Sequence, residues 1–206
     1  MPPKAKISRE MILEAAFQIA RTQGADQITA RSISQQLNCS TQPILYYFAS
    51  VADIKAAVYE RADEYHSCRL MNTDHDYGDP LLNMGMNYIR FAVEEGHLFR
   101  LLFQSNEFSG DSLADLVHSE GIMPVIQVLR QEAGVTAGEA AEIFTNLFIF
   151  VHGYASLFAN NEMACEEDHI IRALTKVYSS LVTKSKVEMP EKDAQTPSCP
   201  EECEET

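Results

Sequence analysis

The chain has 206 residues, 46% of them hydrophobic and 22% charged, and a formal net charge of −14 at pH 7. That length supports one substantial core, or a small domain beside a larger one, and the balance excludes collagenous and wholly disordered classes. Five cysteines, Cys39, Cys68, Cys165, Cys199 and Cys203, are odd in number and irregular in spacing, which argues against a disulfide framework and suits a reducing compartment.

Apolar residues recur at helical spacing nearly everywhere, and no alternating run is bounded by hairpin turns, so the expected fold class is all-α. The first helix begins at an N-cap Ser8 and buries Ile12, Ala15, Ala16, Ile19 and Ala20 on one stripe, with Gly24 as a left-handed stop. Thr29 caps a short helix whose Ala30, Ile33, Ser34 and Leu37 share a face, and Asn38 turns the chain through the left-handed region. Ser40 is expected to cap a third short helix, TQPILYY, which tolerates Pro43 in its first turn. Ser50 and Asp53 open a fourth, with Ile54, Ala57, Val58, Ala62 and Tyr65 inward. Longer helices follow at about 53–71, 80–95, 97–105, 112–132, 137–160 and 166–185. The most apolar stretch, Ile143 to Ala159, is broken by Asn146, His152 and Gly153 and reads as a buried helix, with no membrane partner. Without a secretory pattern at the N-terminus, a cytoplasmic location is expected. Residues 188–206, rich in Pro, Glu, Ser and Cys, are expected to be a disordered acidic tail; Cys199 and Cys203 within it lack the further ligands of a structural metal site.

Two short helices joined by a tight turn, the second starting on small polar side chains, have the geometry that lets a helix enter a DNA major groove. In ITARSISQQLNCSTQPILYYF, Ile33 and Leu37 are expected to pack against Ile44 and Phe48, leaving Thr41, Gln42, Tyr46 and Tyr47 outward. The charge distribution is compatible: residues 1–55 carry six basic and four acidic groups, a formal +2, and the rest of the chain carries −16.

From Ser8 to Tyr59, the segments SREMILEAAFQIARTQG, ITARSISQQL and CSTQPILYYF and the following Ser50-x-x-Asp53-Ile54 resemble the N-terminal domain of TetR-family transcriptional regulators. The resemblance implies DNA contacts from Arg31 and from the outward face of the third helix, Thr41, Gln42, Pro43, Tyr46 and Tyr47. Two positions depart from the family pattern: Leu45 stands where a tyrosine is common, and Val51 where a phosphate-binding lysine is common. YIRFAVEEGHLFRLLF and FVHGYASLFANN resemble the C-terminal region of a TetR subgroup marked by Trp-His-Gly, here Val151-His152-Gly153. This implies a homodimer through the last two long helices.

The expected organisation is a helix-turn-helix DNA-binding domain at 1–52, a helical effector-binding and dimerisation domain at 53–187, and the tail. The expected function is a ligand-responsive repressor that binds a palindromic double-stranded operator as a dimer. The alternative is a helical small-molecule-binding protein that has lost DNA binding, in keeping with Val51 and the acidic charge. Phe91, Phe99, Phe103, Met123 and Phe148 are the expected walls of a cavity for an unknown small-molecule effector. His152 reads either as a hydrogen-bonded core residue or as a ligand contact. No catalytic or metal motif stands out (no His-Glu-x-x-His, phosphate-binding glycine loop or Gly-x-Ser-x-Gly), so no enzyme activity, cofactor or metal is expected.

Overall fold

The computed structural model describes residues 7–105 and 122–187, with side chains through Lys184. Its described residues form nine α-helices, one 3₁₀ turn and no strand. Helix α1 (Arg9–Gln23) opens on Ser8, whose hydroxyl accepts a hydrogen bond from the Met11 amide at 3.2 Å, and buries Phe17 along with the five expected residues. Gly24 ends it, although not in the left-handed helical conformation expected. Its φ of 96° is paired with an extended ψ of 154°, a combination open essentially to glycine alone, and this sends the chain directly into the 3₁₀ turn Ala25–Gln27.

Thr29 and Ser32 cap α2 (Ala30–Gln36) reciprocally: the Ser32 amide donates to the Thr29 hydroxyl at 2.9 Å and the Thr29 amide to the Ser32 hydroxyl at 3.0 Å. Asn38 takes φ 49°, the only positive φ outside glycine among the described residues. Helix α3 (Gln42–Tyr47) corrects the expected Ser40 cap. It starts behind Thr41, without a side-chain capping bond, because Pro43 in the first turn already removes one orphan amide. The Ser50 hydroxyl accepts from the Asp53 amide at 3.1 Å to open α4 (Val51–Leu70).

Asp79 opens α5 (Pro80–Glu94) by accepting from the Leu81 and Leu82 amides at 2.8 and 2.9 Å. Next come α6 (Gly96–Phe103), α7 (Met123–Ala133), α8 (Ala137–Asn160, with a Thr136–Glu139 capping box) and α9 (Glu167–Val187). Of the helix expected at 112–132, the part up to 121 lies outside the described residues, as does the tail expected at 188–206.

One apolar core runs from the first helices into the body, joining Ile12, Ile33, Ile44 and Phe48 to Val58, Phe91, Phe99 and Ile170. Helix α1 packs on both α4 and α6, so α4 and α6 carry the N-terminal helices on the larger bundle. A second cluster, around Ile126, Leu129 and Ile143, fixes α7 to α8. By length and composition α8 is apolar enough to cross a membrane. In this fold it packs against α5, α6, α7 and α9, but among its residues only Ala140, Ile143, Val151, Ala155 and Ala159 are buried, so it is half covered rather than the buried helix expected.

Candidate nucleic-acid interface and ligand cavity

Helices α2 and α3 pack through Ile33 and Ile44, both fully buried, with Phe48 buried beside them and Leu37 half-buried against the same core. Asn38 permits this packing. Its left-handed backbone reverses the chain within a few residues, so the two helices share a face although separated by a single turn. Thr41, Gln42, Leu45 and Tyr46 then point to solvent at one end of the molecule, and Arg31 is exposed on α2. Two side chains differ from expectation. Tyr47 is half-buried against the core rather than outward, and Leu45 takes the exposed place at 60% accessibility. Pro43 is half-buried. Tyr46 is 81% accessible and meets the Tyr47 ring edge-on at 5.0 Å between centroids. The physical reason is the helical period: Tyr47 follows buried Ile44 by three residues and shares its face, while Leu45 and Tyr46 lie on the opposite side. Arg31 is the only charged residue between Ile28 and Phe48, and the Arg9 guanidinium lies 4.8 Å over the Phe48 ring near the same end.

In the body, α4, α5, α6, α7, α8 and α9 line a partly open cavity of about 480 Å³. Of the residues expected to line it, Phe103 and Phe148 do. Phe91 and Phe99 are wholly buried in the solid core instead, and Met123 is 41% accessible at the start of α7; none of the three borders the cavity. His152 stands behind the wall, its Nδ1 sharing a 2.9 Å hydrogen bond with the hydroxyl of Tyr88, which is a wall residue. Sequence reasoning missed His66, Tyr88, Leu174 and Tyr178, all of which line the cavity. The signal for His66 was present, since it continues the 54, 58, 62 spacing of the inward stripe of α4.

The cavity is apolar and nearly chargeless. Among the described residues no lysine or arginine lines it, and the one lining carboxylate, Asp79, is already engaged as the α5 cap. Burial pulls the His66 pKa down to about 4, so the ring is neutral at pH 7; its Nε2 is buried without a hydrogen-bond partner. Burial likewise raises the Tyr88 pKa and lowers that of His152. Among the described residues, no group of three His, Cys, Asp or Glu side chains is placed to hold a metal.

The two sites are joined by polar contacts at the junction of α5 and α6. Buried Glu95 accepts from Arg21 of α1, through Nε at 2.7 Å and through Nη2, and from the Tyr65 hydroxyl of α4 at 3.0 Å. One turn on, Arg100 donates to the Ala159 carbonyl near the end of α8, while its Nη2 lies 3.0 Å from His97 Nδ1. A Cβ built on Gly24 would sit 3.3 Å from that same Nδ1, so α6 lies directly against the end of α1.

Residues 81–178, just under half the chain, match the family model described as "Tetracyclin repressor-like, C-terminal domain". The "Uncharacterized HTH-type transcriptional regulator YobS" of Bacillus subtilis (strain 168) is 21% identical over 171 residues, covering 82% of this chain and 87% of that protein. A tetR-family transcriptional regulator from Streptomyces coelicolor, known from its crystal structure, superposes with a TM-score of 0.61 at 16% identity, covering 89% of this chain and 90% of that one. These three findings support the TetR family, and the chain has the fold of a TetR-family regulator, with a tetracyclin repressor-like C-terminal domain over residues 81–178.

Proposed function

We propose that the protein is a transcriptional repressor that binds a palindromic DNA operator as a homodimer and releases it when an uncharged apolar effector fills the 480 Å³ cavity. The observation that carries the reading is the α2–Asn38–α3 unit, whose packing through Ile33 and Ile44 leaves Thr41, Gln42, Leu45 and Tyr46 free to enter a major groove. Gln42 reads base edges, Arg31 contacts phosphate or base, and half-buried Tyr47 and Pro43 shape the helix entry. The partner surface is the bare stripe of α8, where Ile149 and Leu157 are 54% and 51% accessible and nothing lies within 4 Å of a Cβ on Gly153. Phe144 and Phe148 of the same helix line the cavity instead. A charged effector would lose its hydration in the cavity without gaining a counter-ion, which favours a neutral one. We read Val151-His152-Gly153 as the counterpart of the subgroup motif, with His152 holding the Tyr88 side of the cavity wall.

Selecting bound duplexes from a random pool at low salt tests the reading directly. A recovered palindrome is the expected result, with Gln42→Ala weakening binding by about 1–3 kcal/mol at one position per half-site, and Arg31→Ala, if its contact is to phosphate, lowering the salt slope by about one. Failure to enrich any duplex would leave the chain a helical ligand-binding protein.

A further inference from the structure

Leu45 and Tyr46 are the two side chains of α3 whose exposure the packing of the head leaves unexplained. Leucine has no hydrogen-bonding atom, and at 60% accessibility on a six-residue helix it contributes nothing to the core, which α3 reaches through Ile44 and Tyr47. Neither does it cap, turn or pair with any charge. Tyr46 beside it is the most exposed of the large hydrophobic side chains among the described residues, held edge-on against Tyr47, which is itself anchored to the core. Gln42 precedes them by three and four residues and therefore shares their face, and no lysine, arginine or carboxylate occurs anywhere on α3.

Such a face has little to offer a phosphate backbone. It has no charge for the phosphates, the Gln42 amide and the Tyr46 hydroxyl as its hydrogen-bonding groups, and an apolar patch made of the leucine side chain and the tyrosine ring. The major groove presents one apolar group of its own, the C5 methyl of thymine. We infer that Leu45 and Tyr46 form a reader of thymine methyl groups, so that specificity at one or two base pairs of each half-site comes from burying a methyl group rather than from a hydrogen bond. The inference rests on the proposed DNA-binding function and adds to it the chemistry by which α3 selects sequence.

Replacing thymine by uracil removes the methyl and leaves every hydrogen-bonding group of the base pair in place, so it isolates the contact without altering the protein. The full chain is used to select duplexes from a random pool, and each thymine of the best duplex is then replaced singly by uracil. At one or two positions per half-site the dissociation constant should rise about four-fold, the effect of one methyl left in water. With Leu45→Ala and Tyr46→Ala combined the same uracil duplexes should bind like their thymine parents, since the partners of the methyl are gone; a loss retained in full would move the contact away from α3 and overturn the assignment. Affinities that stay within two-fold at every uracil position would likewise overturn the methyl reader while leaving the DNA-binding function intact. If no duplex is enriched, the DNA-binding function itself fails and takes the inference with it.

Discussion

Replacing Glu95 by Gln perturbs the one buried carboxylate that touches α1, α4 and the α5–α6 junction together. Glu95 accepts two hydrogen bonds from Arg21 and one from Tyr65, and Arg21 also lies 5.5 Å over the Tyr65 ring. A glutamine of the same shape keeps one acceptor oxygen and turns the other toward Arg21 as an amide donor, so at least one charge-assisted bond is lost and a repulsive contact replaces it. Breaking a fully buried pair costs about 3–5 kcal/mol. Because the Arg21 side chain is 38% accessible and recovers part of its hydration, we expect a smaller loss of about 2–3 kcal/mol in urea unfolding. Arg21→Met alone should cost a similar amount, because it leaves the carboxylate buried without its cation. The double variant should be less unstable than the sum by about 1–2 kcal/mol, since neither uncompensated partner remains. Effects below about 0.5 kcal/mol, or strict additivity of the two, would refute the role assigned to this contact.

Neutral His66 stabilises the fold above its unfolded pKa of 6.5, and that stability is lost as pH falls through 6.5 toward its folded value of about 4, because only the unfolded chain then gains the proton readily. Between pH 7 and 4.5 the wild type should therefore lose about 2.5 kcal/mol more than His66→Gln in urea titrations; parallel curves would contradict the burial of a neutral ring. Ile149→Glu together with Leu157→Glu should convert a dimer to a folded monomer by light scattering, because two side chains worth about 1.5–3 kcal/mol each on burial become charged. An unchanged mass would remove α8 from the interface. Val51→Lys should strengthen binding to any duplex and steepen the salt slope by about one, as one added phosphate contact requires, and an unchanged slope would place the start of α4 away from the backbone.

Much of the head was legible because its signals are local. Ser8, Thr29 and Ser50 cap helices by bonds that span three residues, and the α1 stripe repeats at a fixed period. Likewise, α8 covers 137–160 as expected, since the Thr136–Glu139 box and the run of apolar residues fix its start and extent. Reading failed where a contact depends on distant parts of the chain. The cavity wall draws on six helices and the segment between α4 and α5, and nothing within α5 distinguishes Tyr88, which faces the cavity, from Phe91, which fills the core one turn later. Nothing local marks Glu95 as buried, because glutamate seldom is; only the approach of Arg21, 74 residues earlier, keeps it inside. The misplacement of Tyr47 had a local cause: it follows the buried Ile44 by three residues and so shares its inward face, which the helical period already implied.

The unbroken core between the first helices and the bundle limits how the head can move. With Val58 and Ala62 of α4 packed in the same core as Ile12 and Ile19 of α1, the head has no free linker on which to swing. Displacement must come from the sliding of packed helices, small at the core because close-packed side chains tolerate little strain. Yet α4 has 20 residues and so is about 30 Å long, with His66 at the cavity near one end and Val51, adjoining the head, at the other. A tilt of about 5° around its buried middle would move either end by only 1–2 Å. The helix works as a stiff beam, and two copies of such a beam in a dimer would add their displacements across the gap between the heads.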